Sequence, residues 1–196
     1  MLGGKELTLQ YTQKMIREVF IKKLSEYPLN KITVKSITEE CQINRNTFYY
    51  YYSDIYELLS EIFQLEFKKV IDDYNENLSW EESFLLAAKY TLENKKAVYH
   101  IYNSLRREEV ENYIYNIAGN VMTKYVSKIA EDIPVSSEDV KWIAYFYQCS
   151  LTGIILRWIS SGMKEDPELI IRRIGQLFDG NIEISLKRSV ELQNSQ

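Results

Sequence analysis

Arg45, Asn46, Thr47, Tyr49, Tyr50 and Tyr51 fall within one short stretch that follows the turn-forming run Gln42-Ile43-Asn44. Arginine offers a planar fork of donors that fits guanine O6 and N7, and an asparagine amide fits adenine N6 and N7. Tyrosine hydroxyls at positions 49 and 51 suit phosphate oxygens. The chemistry these types allow is the reading of duplex DNA, with a packed aromatic surface as the plain alternative. Catalysis finds less support. His100 is the single histidine, and Cys41 and Cys149 are the two cysteines. A Cys149–His100 pair is formally open, but a filled core position explains each residue as well. No cluster has metal-ligand spacing and no glycine-rich phosphate loop occurs, so no enzyme, metal or cofactor is expected.

Positioning those side chains requires short helices. Seven glycines and three prolines in 196 residues leave few breakers, which predicts an all-α fold of long helices. Thr12 is a suitable N-cap for a first helix to about Ser25, with Ile16, Val19, Phe20 and Leu24 on one face. Thr33 caps Val34–Cys41, and a further helix covers Arg45–Tyr52. Ile37, Cys41, Ile43, Phe48 and Tyr52 can pack as one core and leave the polar and aromatic positions of the second helix outside. Two short helices around a tight turn form a helix-turn-helix. A helix of two turns is not stable alone and must be held by neighbours.

Further along, Asp54 with Glu57 and Ser79 with Glu82 read as capping boxes. Helices are expected from Asp54, from Ser79 to about Leu92, over Lys95–Leu105, from about Glu108 to Ile133, over Ser137–Ser161, and from Asp166-Pro167 to about Val190. This divides the chain into a DNA-binding domain, 1–53, and a larger helical domain, 54–196, to which the family resemblance given below adds effector binding and dimerisation. Residues 1–53 carry eight basic and five acidic residues, a net +3, whereas the whole chain carries −4. A basic end on an acidic body suits a protein that meets phosphate at one end. Two isolated thiols imply a reducing, cytoplasmic setting. Met1–Gln10 has no leader-like apolar core, and Trp142–Ile159 is interrupted by Gln148, Ser150, Thr152 and Arg157, so no membrane span is expected. That run has more apolar surface than one stripe needs. With Leu169, Ile170 and Ile174 of the last helix it predicts a homodimer, and Ile155, Trp158, Ile159 and Ile174 are candidate interface residues.

The segment from Thr12 to Leu59 resembles the TetR (tetracycline repressor) family. The resemblance rests on Thr33-Val34, on Thr47-Phe48-Tyr49-Tyr50-Tyr51-Tyr52 and on Asp54-Ile55-Tyr56-Glu57-Leu58-Leu59. Thr152 to Ile159, Gly162-Met163 and Asp166-Pro167 resemble a subgroup that includes regulators of dihydroxyacetone utilisation. The resemblance implies a transcription regulator, repressor or activator, that binds a near-palindromic double-stranded operator as a homodimer. Thr47, Tyr49 and Tyr50 would contact DNA, with Arg45 and Asn46 at base edges and Thr33 and Lys35 against phosphates. Tyr99, Tyr102, Asn103 and Tyr147 lie on helices that surround a ligand cavity in the family. They are candidate contacts for a small-molecule effector, and a partner protein is the alternative. Two departures stand out. Gln42 occupies the turn position where the family usually has glycine, at a cost of about 1 kcal/mol if φ is positive there. Ile55 replaces a lysine that contacts phosphate. With the acidic total, these leave open a helical scaffold that no longer binds DNA.

Overall fold

A computed structural model describes residues 3–76, 79–104, 106–178 and 180–193. Among them are ten α-helices and one 3-10 turn, and no strand. In order these are α1 (Gly3–Glu26), the turn Leu29–Lys31, α2 (Val34–Glu40), α3 (Arg45–Tyr51), α4 (Ile55–Glu76), α5 (Trp80–Glu93), α6 (Lys95–Tyr102), α7 (Arg107–Ala130), α8 (Ser137–Ser160), α9 (Pro167–Phe178) and α10 (Asn181–Gln193). The fold is all-α, as the scarcity of breakers predicts.

Two helices depart from expectation. Thr12 lies inside α1, which begins at Gly3, instead of capping it. No proline or turn pair interrupts Lys5–Gln10, and threonine is only mildly unfavourable in a helix interior, so the helix propagates past it. The last helix expected is two helices. Gly180 has φ +70° between α9 and α10, a left-handed conformation that glycine adopts without a Cβ clash.

The chain divides into two units, Met1–Glu66 with Glu93–Val110, and Phe67–Leu92 with Glu111–Gln196. Besides residues 1–53, the first unit contains the start of α4 and all of α6. The first unit's core holds Ile16, Phe20 and Leu24 of α1, Leu29, Ile37, Phe48, Tyr52, Leu58 and Ile101. α6 docks on α1, and the His100 Nδ1–H donates to the Leu24 carbonyl at 2.7 Å. That carbonyl lies in the last turn of α1, where it lacks an intrahelical donor.

The second unit packs Trp80, Phe84, Ile117, Val121, Met122, Tyr147, Leu151, Phe178 and Leu186 into one cluster. Trp80 and Tyr147 flank the Phe178 ring, with centroids at 5.2 and 4.6 Å. The Ser79–Glu82 capping box forms, at 2.8 and 3.2 Å. Among the described residues no helix is long and apolar enough to cross a membrane.

Candidate nucleic-acid interface

α2 and α3 are each seven residues long and are held at their ends by side chains. Thr33 Oγ1 accepts from the Ser36 N–H at 3.1 Å and Ser36 Oγ accepts from the Thr33 N–H at 3.2 Å. Asn44 Oδ1 accepts from the Asn46 N–H at 2.6 Å, which starts α3. Asp54 Oδ1 accepts from the Tyr56 and Glu57 N–H groups at 2.7 and 2.9 Å, while the Glu57 carboxylate reaches back to the Ser53 N–H at 2.6 Å. Caps at this density substitute for the hydrogen bonds that such short helices cannot make internally.

The turn between them is a Schellman motif. The Ile43 N–H donates to the Thr38 carbonyl at 3.0 Å and the Gln42 N–H to the Glu39 carbonyl at 3.2 Å. The motif needs a left-handed residue, and Gln42 takes it with φ 54°, as the family comparison of the turn anticipates. α8 ends in the same way, with the Met163 N–H on the Trp158 carbonyl at 2.9 Å and the Gly162 N–H on the Ile159 carbonyl at 3.0 Å. There the left-handed position is Gly162, φ 84°.

Ile37, Phe48, Cys41 and Tyr52 are buried and Ile43 is half-buried, so one face of α3 is anchored. The other face carries Arg45, Asn46, Tyr49 and Tyr50 exposed, the last at 72%, with Thr47 and Tyr51 half-buried. Thr33 and Lys35 on the α2 side are exposed too, and Lys35 Nζ lies 3.7 Å from Glu39. Tyr50 and Tyr51 meet edge to face with centroids at 4.9 Å. Every candidate DNA contact read from the sequence therefore reaches solvent on α2, its N-cap or α3, with Thr47 and Tyr51 the least exposed.

Two carboxylates, Glu61 and Glu40, hold this surface to the rest of the unit. The Tyr52 hydroxyl donates to Glu61 of α4 at 2.5 Å, and Arg17 of α1 lies 3.3 Å from the same carboxylate. Burial, then the bond to Glu61, pushes the Tyr52 hydroxyl above its ordinary range. Glu40 receives Lys22 at 2.8 Å and Lys23 at 2.5 Å, which ties α2 to α1. The bonds from Lys22 and Lys23 hold the Glu40 carboxyl at about 2. The sequence reading missed this framework, although the hydroxyl that distinguishes Tyr52 from a phenylalanine was its available signal.

The other candidates fall differently. Tyr102 is buried and Tyr99 exposed in the first unit, and the Asn103 amide donates to the Tyr99 carbonyl at 2.8 Å. Tyr147 is in the core of the second unit against Phe178. None of the four lines the apolar cavity of the second unit, which has a volume of about 50 Å³. That cavity lies among α5, α7, α8 and α9, between Phe84, Ile117, Leu151, Ile155, Trp158 and Ile170.

Three of the four candidate interface residues require correction. Trp158, Ile159 and Ile174 are buried inside the protomer at 5%, 2% and 3% exposure, and Ile155 is only half-buried beside them. The Trp158 indole N–H donates to the Glu165 carbonyl at 2.8 Å. A residue that fills its own core has no surface left for a partner. The apolar excess of α8 is carried on the opposite stripe by Trp142, Tyr145 and Phe146.

Residues 78–180 match a TetR C-terminal family described as a transcriptional regulator C-terminal region. The activator of the dhaKLM operon from Lactococcus lactis is 34% identical over 84 residues, a stretch covering 43% of this chain and 45% of that relative. A solved dihydroxyacetone kinase operon activator superposes with a TM-score of 0.74 at 25% identity, covering 88% of this chain and 97% of that one. A TetR regulator from Streptococcus agalactiae shares the fold, with a TM-score of 0.61 at 17% identity over 90% of this chain and 98% of that one. These relatives are regulators and not enzymes. The chain is therefore a member of the TetR family of transcriptional regulators and resembles its dihydroxyacetone kinase operon activators.

Proposed function

We propose that the protein binds a near-palindromic operator as a homodimer, inserting α3 of each protomer into the major groove. The observation that carries this reading is the two-sided α3. Phe48 anchors it with no exposed surface, while Arg45, Asn46, Tyr49 and Tyr50 face solvent. Arg45 and Asn46 then read base edges. Thr47, Tyr49, Tyr50 and Tyr51 contact DNA along the helix, and Thr33 and Lys35 meet phosphates. The protomers pair through the exposed stripe of α8 together with Leu177 and Ile184, which are 67% and 63% exposed.

Fluorescence anisotropy on the DNA upstream of its own gene, against a scrambled duplex and across a salt series, tests the reading. Tight binding to the first with a steep salt slope is expected. Equal, weak binding to both would leave the helical scaffold instead.

An effector modulates that affinity in this reading, and the likeness to the operon activators points to activation of a kinase operon. Among the sequence candidates, Tyr99 keeps exposed surface that an effector can reach. A partner protein is the alternative effector. Titration with purified products of the adjacent genes and with their metabolites separates the two effectors by which one shifts DNA affinity.

A further inference from the structure

We infer that Tyr52 is a positioning residue for operator discrimination: its hydroxyl, through Glu61, fixes the orientation of α3 so that Arg45 and Asn46 meet base edges. The inference rests on the DNA reading above and adds a determinant of specificity that is itself buried. Tyr52 is the C-cap of α3 and is 3% exposed. Its ring packs on Phe48 with centroids 5.6 Å apart, a contact that a phenylalanine would make equally well. Packing therefore does not require the hydroxyl. At this depth a hydroxyl needs a partner, and it donates to the Glu61 carboxylate of α4 at 2.5 Å. Arg17 of α1 lies 3.3 Å from the same oxygen, so three helices meet at one atom.

A half-buried network of this kind is costly to form. The Arg17 and Glu61 side chains keep 24% and 29% of their exposure, and charges withdrawn from water lose hydration that an apolar cluster never had. What the network adds is direction. Apolar contact is non-directional, so the Phe48 anchor holds α3 down without fixing its rotation. A hydrogen bond weakens steeply as its angle closes, so the bond to Glu61 does fix it. Rotation decides whether α3 can read DNA, because recognition groups must be held within about 0.5 Å and 10–20° of their productive geometry. α3 has seven residues, too few to resist a shift by its own hydrogen bonds. Removing the hydroxyl leaves Glu61 with Arg17, so α1 and α4 stay joined and α3 alone is released.

Three variants of the full chain test this by fluorescence anisotropy on the upstream DNA and on a scrambled duplex across a salt series. Circular dichroism checks that each variant is folded at the assay temperature. Tyr52→Phe should weaken binding to the upstream duplex by about tenfold. Its binding to the scrambled duplex and its salt slope should not change, because non-specific affinity comes from cation–phosphate contacts that the variant keeps. Glu61→Gln, which retains an acceptor for the hydroxyl, should lose less discrimination than Glu61→Leu. Tyr52→Phe decides the case if Glu61→Leu does not fold. A merely structural hydroxyl would lower the urea midpoint of Tyr52→Phe and leave the ratio of the two affinities at the wild-type value, and that result would overturn the inference. A wild type that binds both duplexes alike would overturn the DNA reading and the inference with it.

Discussion

Gln42→Gly should stabilise the first unit. The left-handed backbone at Gln42 costs a residue with a Cβ about 1–2 kcal/mol, and φ 54° with both Schellman hydrogen bonds formed shows that the turn demands this conformation. Glycine removes the clash but gives up about 0.5–1 kcal/mol of backbone entropy on folding. The Gln42 side chain is exposed, so no packing is lost. The balance is a gain of about 0.5–1 kcal/mol, which moves a urea midpoint upward by about 0.2–0.5 M at the slope of a chain this long. The order matters more than one value. Gln42→Gly should be the most stable and Gln42→Asn the next, since asparagine tolerates this region. The wild type should follow, with Gln42→Val lowest because a β-branched residue is a true outlier there. The assay is urea unfolding of the four proteins followed by far-ultraviolet circular dichroism. A lower midpoint for Gln42→Gly, or a Gln42→Val variant as stable as the wild type, would refute the argument that the motif imposes strain on this residue.

Tyr52→Phe removes the donor to Glu61 and leaves the carboxylate to Arg17, a loss of about 1–3 kcal/mol by chemical denaturation with the helix content retained. Glu40, whose folded carboxyl titrates at about 2, contributes stability that is present above its ordinary value near 4.5 and is lost as the pH falls towards 2. Acid unfolding monitored across that window should show this loss, reduced by added salt because the group is exposed. Trp158→Ala should destabilise the protomer by about 3–5 kcal/mol, whereas Phe146→Ala, at 65% exposure, should leave monomer unfolding nearly unchanged and weaken dimerisation. Arg45→Ala should relax discrimination at one base pair at a cost of about 1–3 kcal/mol, while Lys35→Ala should weaken all sequences alike and reduce the salt slope by about one unit.

Capping residues and helical spacing are local, and they were legible in the sequence. Thr33, Asp54 and Ser79 start the helices they were expected to start, because a cap depends only on residues two to four positions away. The buried set Ile37, Cys41, Phe48 and Tyr52 followed from the same short-range periodicity, and the exposed face of α3 was what remained. The left-handed Gln42 was also a local matter, set by the turn between two helices. Tertiary structure alone decided which side of α8 is core. Trp142, Phe146, Trp158 and Ile159 are comparably apolar, and a helix with apolar residues on two sides has no sequence mark for the inward one. Packing of α5, α7 and α9 buried Trp158 and Ile159 and left Trp142 and Phe146 to solvent. The same holds for the bonds from Tyr52 and Arg17 to Glu61 and from His100 to Leu24. They join residues 9, 44 and 76 positions apart, separations that only the folded chain brings within hydrogen-bonding distance.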